Sequence, residues 1–323
     1  MSATPLLRVE DLTVGFRTEQ GYVRVVEDVS FSLKAGKTLG LVGESGCGKS
    51  VTAQTIMRLL PSPSSSIEAG RILFGDEDLA VLSQKRMQKI RGDRIGMVFQ
   101  EPMTSLNPTL RIGEQIAEPL ILHRGMRARE AEEQVIRVLG LVGMGDAERR
   151  LLQYPHELSG GLRQRVMIAM AIICNPMLLI ADEPTTALDV TIQAQIMELL
   201  KLLQQEMGLA ILLITHDLGM VAEMCETVAV MYAGRIVETG PTGQVFASPR
   251  HPYTYGLLNS SPRRARKGER LLSIPGIVPP PGERGTGCSF NKRCTNATSR
   301  CAAERPQMLP LGAAAAACWN PMP

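Results

Sequence analysis

No stretch of this 323-residue chain stays apolar and free of charge for the roughly 18–20 residues that a membrane-spanning helix needs. The apolar run Leu209 to Ile214 is short and reads as one buried strand. Met1-Ser2-Ala3-Thr4-Pro5 lacks the basic-then-apolar plan of a signal peptide, so export is not expected. The formal net charge is only +3, which argues against a dedicated polyanion binder, and no nucleic acid partner is expected. Internal repeats and long coiled-coil insertions are absent. Without an export signal the cysteines are not expected to form a disulfide framework. Any membrane role is therefore expected to be peripheral and cytosolic.

What is present is a hydrophobic share of 44%, ordinary for a soluble globular protein. The length suits one large α/β domain with an appendage, or two small domains. From Leu6 to about Asp78 the pattern favours strands: Val9, Leu12 and Val14, then an alternating Val23 to Leu33, then a buried Thr38 to Val42. Residues from about Leu79 to Gly161 contain helical stretches such as Arg127 to Leu141, punctuated by Pro and Gly. Buried-strand runs recur at Met177 to Ala181, Ala210 to Thr215 and Thr227 to Tyr232. Between them Val190 to Met207 carries Ile192, Ile196, Leu199, Leu203 and Met207 on one helical face. Strands alternating with helices predict a mainly parallel sheet.

Gly43-Glu44-Ser45-Gly46-Cys47-Gly48-Lys49-Ser50 follows a predicted strand and precedes a predicted helix through Val51. In such a loop glycines bring backbone N–H groups onto phosphates, Lys49 neutralises the β- and γ-phosphates, and the Ser50 hydroxyl reaches Mg²⁺. The helix start adds its positive dipole end. Met177-Leu178-Leu179-Ile180-Ala181-Asp182-Glu183 is an apolar strand ending in two acids, costly together without a cation. Asp182 suits Mg²⁺ and Glu183 suits the general base that polarises an attacking water. Between these motifs lies Leu158-Ser159-Gly160-Gly161, opening the segment Leu162 to Cys174; Ser159 is placed to cap a helix there.

This order of motifs resembles the ATP-binding-cassette (ABC) ATPases. The resemblance implies a P-loop α/β fold with a RecA-like core, an antiparallel β subdomain and a helical subdomain at about 101–170. It also implies that two subunits share each ATP, with Ser159, Gly160 and Gly161 of one reaching across to the other's phosphates; Leu162 replaces the more usual Gln. Gln100 then looks like the residue that senses Mg²⁺ and the γ-phosphate, and His216 in Leu213-Ile214-Thr215-His216-Asp217 looks like the switch histidine. Thr186-Ala187-Leu188-Asp189 resembles the loop linking the two ATP sites. Adenine is expected to stack on Phe16, with Tyr22 the other candidate because Thr18 to Gly21 looks like an insertion.

Finer features resemble the dipeptide, oligopeptide and nickel importers: Phe99-Gln100-Glu101-Pro102-Met103-Thr104-Ser105-Leu106-Asn107-Pro108 and Ser248-Pro249-Arg250-His251-Pro252-Tyr253-Thr254. The ATPase domain is placed at 1–248 and a cysteine-rich extension at 249–323. Within the latter, Arg263-Arg264-Ala265-Arg266-Lys267 reads as a solvated loop and Ser273 to Gly285 as a linker or extended arm. Cys288, Cys294, Cys301 and Cys318 suit four-thiolate ligation, and the resemblance implies a [4Fe–4S] cluster; structural zinc and free thiols remain alternatives, though no Cys-x2-4-Cys knuckle is present. With few large apolar residues, this tail is expected to take its order from what it binds. The partners implied are a second, similar ATPase (a heterodimer), two transmembrane permeases at whose cytoplasmic face the chain would sit, and an extracytoplasmic solute-binding protein. The solute stays open among dipeptides, longer peptides, opines, glutathione-like molecules and nickel chelates. Two other functions compete: a soluble ABC ATPase acting on ribosomes or DNA, and a redox or regulatory module on a degenerate cassette.

Overall fold

The computed structural model describes residues 4–19, 21–101, 105–260 and 273–323. Pro102-Met103-Thr104 and the run Arg263-Arg264-Ala265-Arg266-Lys267 lie outside the described residues. The chain opens with β1 (Leu7–Thr18), β2 (Gly21–Leu33), β3 (Thr38–Val42), α1 (Lys49–Ile56), β4 (Ser65–Phe74), β5 (Glu77–Asp78), α2 (Gln84–Ile90) and β6 (Ile95–Val98). Then come α3 (Ile112–Arg124), α4 (Ala128–Leu141), α5 (Ala147–Arg150), α6 (Gly160–Ile172), β7 (Leu178–Asp182), α7 (Val190–Met207), β8 (Ala210–Thr215) and α8 (Leu218–Met224). The last part holds β9 (Thr227–Tyr232), β10 (Arg235–Pro241), α9 (Thr242–Ala247), α10 (Pro252–Asn259), α11 (Ser299–Ala303), β11 (Leu309–Leu311) and β12 (Ala314–Ala316). Two compact units emerge, one from 1–34, 38–82 and 213–323, the other from 35–37 and 83–212.

In the first unit β1 pairs antiparallel with β2 and β4, giving a sheet of order β2-β1-β4-β5. A second sheet runs β11-β12-β10-β9-β3-β8, of which the second half of β8 belongs to this unit. β3 and β9 pair in parallel, whereas β9–β10, β10–β12 and β11–β12 are antiparallel. The expected parallel pairing is found at β3–β9, and the sheet continues into an antiparallel edge of β10, β12 and β11. Ala233-Gly234 is too short a connection to return β10 in the direction of β9, because parallel neighbours need a crossover of a dozen or more residues. Residues 249–323 belong to this unit rather than to a lobe of their own. The expected arm from Ser273 to Gly285 includes a 3₁₀ turn at Pro281–Glu283.

In the second unit β6 and β7 pair in parallel, Ile95 opposite Leu178 through Val98 opposite Ala181. Helix α4 buries Ala131, Val135 and Leu139, the i, i+4, i+8 stripe that an amphipathic helix presents to a core. Helix α7 spans the expected residues and buries Ile196, Leu199 and Leu203, while Ile192 and Met207, at its two ends, are only half-buried. All residues of β3, β7 and β8 are buried. Apolar runs of that kind suit strands covered on both faces.

Candidate functional site

Residues 43–48 join β3 to α1. Gly48, the N-cap of α1, has φ 106°, a conformation open to glycine at little cost. Gly43 packs against the backbone of β9, where an added Cβ would lie 2.1 Å from the Met231 carbonyl oxygen. Lys49 is only 5% exposed, and its ammonium donates to the carbonyls of Gly43 at 2.8 Å and Glu44 at 3.2 Å. These neutral acceptors leave its charge uncompensated by them, which suits capture of an anion. Ser45 and Gly46 are exposed, whereas Ser50 and Val51 sit half-buried in the first turn of α1. Burial pushes the Cys47 thiol up, with Lys49 opposing.

The register of β6 on β7 brings the second group together. Because Val98 lies opposite Ala181, residues two positions beyond each strand partner emerge at the same end. The Gln100 amide accordingly donates to Glu183 Oε2 at 3.1 Å, and Thr186 Oγ1 donates to the same oxygen at 2.8 Å. Glu183 has φ 47°, unusual for a residue with a Cβ, and its two donors help to hold it there. Asp182 is 3% exposed at the end of β7. His216, in the first unit, is exposed just after β8, and Asp217 beside it caps α8 by accepting from the Gly219 and Met220 N–H groups.

Ser159 is indeed the N-cap of α6, but the helix begins at Gly160 and the Ser159 side chain makes no capping bond. The expected cap interaction is corrected: hydroxyl and helix N-terminus both stay available, since Ser159 and Gly160 are exposed. Gly161 has a separate packing reason that the sequence did not reveal. A Cβ there would lie 2.7 Å from Ile192 Cγ2 on α7. Asp189 is exposed at the start of α7, again without a side-chain cap bond. In the first unit Phe16 is half-buried on β1, while Tyr22 is 46% exposed and its ring lies across Gly15. The Tyr22 hydroxyl shares a hydrogen bond with Ser66 Oγ at 2.7 Å.

Cys288, Cys294, Cys301 and Cys318 all line one cavity of about 10 Å³, together with His251 and Phe290. That volume matches a single water. Among the described residues, no group of three or more His, Cys, Asp or Glu is arranged to hold a metal ion. The thiols therefore converge without forming a ligand set as they stand. Burial pushes Cys288 and Cys294 up and Cys318 up to about 11, so ligation would have to release protons. The tail also has an anchor that the sequence reading denied it. Phe290 is 3% exposed and packs edge-on against Tyr232 at 5.2 Å and tilted on Tyr253 at 5.4 Å. Next to it, Arg293 forms a two-pronged ion pair with Glu44 of the 43–50 loop. Neither partner carries a local signal that would have matched them.

Residues 26–186 match the ABC transporter family, and residues 237–301 match the oligopeptide/dipeptide transporter C-terminal region. A peptide import ATP-binding protein of Brucella ovis is 54% identical over 319 residues, covering 95% of this chain and 94% of its own length. A peptide ABC transporter ATP-binding protein of Sinorhizobium fredii is 52% identical, covering 98% and 95%. Among solved structures, the cassette MJ0796 in its dimeric post-hydrolysis state with ADP and Pi superposes with a TM-score of 0.66 at 29% identity, over 73% of this chain and 98% of its own. CbiO1 of Clostridium perfringens, part of an ABC transporter complex, gives 0.64 at 30% identity over 75% and 91%. With more than half of all positions shared along almost the whole length, the chain belongs to the ABC transporter ATP-binding proteins.

Proposed function

We propose that this protein is the ATP-hydrolysing subunit that powers import of peptides or related small solutes through a binding-protein-dependent ABC transporter. The observation that carries the chemistry is Glu183, oriented by Gln100 and Thr186 at the end of β7. A carboxylate oriented by such donors at a strand end is placed to accept a proton from water, the task of a general base. Residues 43–51 bind the triphosphate, with Lys49 as its counter-charge, and Phe16 (or Tyr22) carries adenine. Ser50, Gln100 and Asp182 are the residues that would hold Mg²⁺, which when bound neutralises β- and γ-phosphate oxygens. His216 contacts the γ-phosphate.

Ser159, Gly160 and Gly161 serve the ATP of a second cassette, and Asp189 lies in the loop linking the two sites. The exposure of Ser159 and Gly160 and the dimeric form of the solved cassette support this reading. The second cassette is a similar but distinct ATPase subunit. Two permeases hold the pair at the cytoplasmic face of the cell membrane; among the described residues no helix is long and apolar enough to cross a membrane itself. The ATPase unit is residues 1–248, with its helical part at about 101–170, and 249–323 is the importer-type extension. The four extension cysteines take a thiolate-held group, [4Fe–4S] in preference to zinc. Their convergence on one cavity supports this, and loading requires that cavity to open.

Glu183→Gln tests the catalytic assignment. In the assembled transporter, with the partner ATPase blocked in the same way, ATP binding should persist while hydrolysis falls at least ~100-fold. Turnover near that of the unmutated assembly would overturn it. For the extension, anaerobically purified protein should absorb broadly near ~400 nm and lose that band when any one of the four cysteines becomes Ser. Colourless protein with stoichiometric zinc would replace the cluster by zinc at the same residues.

A further inference from the structure

We infer that Arg293, in the cysteine-bearing extension, is a positioning residue for the phosphate loop and acts through Glu44. This inference rests on the reading of residues 43–50 as the ATP phosphate site. Arg293 Nη1 donates to Glu44 Oε2 at 2.7 Å and Nη2 donates to Glu44 Oε1 at 3.0 Å. Paired N–H···O bonds of this sort fix orientation as well as distance. The guanidinium is itself immobilised. Nε donates to the Pro275 carbonyl at 2.8 Å, Nη1 also reaches Tyr232 Oη at 3.4 Å, and the side chain is only 5% exposed.

Glu44 is the hub of the loop. Its N–H donates to Tyr253 Oη at 2.9 Å, and its carbonyl accepts from the Cys47 N–H at 3.3 Å and from Lys49 Nζ at 3.2 Å. Tyr253 is wholly buried, and its ring lies 4.6 Å from that of Tyr232. Every polar group of Glu44 is thus tied either to the extension side or to the loop's own Cys47 and Lys49. A carboxylate one residue into a phosphate loop also opposes a triphosphate electrostatically. Counting Arg293, the formal charges at the loop are two cations and one carboxylate; without it, those of Lys49 and Glu44 sum to zero. The extension therefore supplies both the fixed geometry and the net positive charge of the loop. Phe290 and the bonds of Arg293 to the 274–275 backbone hold the residue that does so.

The test uses the full chain assembled in its transporter, with ATP as the probe and both KM and kcat recorded. Arg293→Met should raise KM for ATP about tenfold, the scale of one charged hydrogen-bonded pair, and leave kcat within about twofold. On a Glu44→Gln background the same change should add less than about twofold, because its partner is already gone. Arg293→Lys, which keeps the charge but only one prong, should recover part of the loss. An equal penalty on both backgrounds, a fall in kcat at constant KM, or no change would overturn the inference. Should Arg293→Met fail to fold, Arg293→Lys against Glu44→Gln runs the same cycle. Lys49→Ala separates the two levels: if ATP affinity survives it, the phosphate-site reading has failed and this inference with it. If Lys49→Ala abolishes binding while the Arg293 and Glu44 changes stay additive, this inference alone has failed.

Discussion

Two helix starts, α1 at Lys49 and α6 at Gly160, both lack a side-chain cap, yet they are built for different circumstances. At α1 the loop closes on itself: Lys49 is buried against loop carbonyls and Glu44 is held from the extension. At α6 the cap residue is exposed, its hydroxyl makes no capping bond, and Gly161 packs too closely on Ile192 to admit a Cβ without a shift. The first is a loop held in place within one chain. The second is a finished surface with nothing of its own to cap it. Helices α8 and α10 show the contrast from the other side, since Asp217 and His251 accept from their first-turn N–H groups. A capped end has fewer donors left for a ligand.

The largest expected effect breaks the comparison at its root. Lys49→Ala should lower the isolated chain's ATP affinity at least ~100-fold, the loss of a desolvated charged contact. If that surface serves another subunit's nucleotide as proposed, Ser159→Arg should leave that affinity within about twofold yet lower hydrolysis by the assembled transporter at least ~10-fold. Titration of a fluorescent ATP analogue and steady-state turnover measure the two quantities. If Ser159→Arg weakens binding to the lone chain as Lys49→Ala does, the two helix starts serve one site and the distinction collapses.

A smaller effect sharpens the close packing of the second start. Gly161→Ala adds a methyl where only 2.7 Å separates it from Ile192 Cγ2, and overpacking of this kind costs about 1–3 kcal/mol. A lowered thermal midpoint is expected, with partial recovery in the double variant Gly161→Ala/Ile192→Val. No change in midpoint would mean that α7 yields.

The smallest effect concerns the capped end. His251 is 1% exposed, its Nδ1 accepts from the Tyr253 N–H, and burial pushes it down to about 3 from 6.5. The unfolded chain therefore binds a proton that the folded one refuses. This stability is fully present above pH 6.5 and is lost as pH falls from there toward 3, by up to about 1.4 kcal/mol per pH unit. Glu238, raised by burial, works in the opposite sense as it takes up its own proton, so the net slope is shallower. Thermal midpoints from pH 7.5 down to about 5 should fall for the unmutated protein and stay flatter in His251→Asn. That variant keeps an acceptor for the helix start. Equal slopes would remove His251 as the cause.

Much of the fold was legible in advance because its signals are local. β8, β9 and α7 fall on the expected residues, since an unbroken apolar run or a 3.6-residue period states its own geometry. The 43–50 loop is likewise written contiguously, its glycine positions dictating a backbone that few other residues adopt. The antiparallel return of β10 was missed because alternation of element types does not report the length of a turn. The tail's aromatic anchor was missed because Phe290 finds its partners, Tyr232 and Tyr253, far away along the chain.

By itself, then, the sequence determined the glycine-rich 43–50 loop, the acidic strand end, the Ser159 helix start and the family they signify. Each lies within a few consecutive residues whose backbone demands are short-range. Only the tertiary structure decided that Gln100 meets Glu183 across 83 positions, that Gly161 is fitted to Ile192, that four cysteines share one cavity, and that Arg293 grips Glu44 across 249. Those meetings depend on strand register and on packing between elements, which no local period encodes.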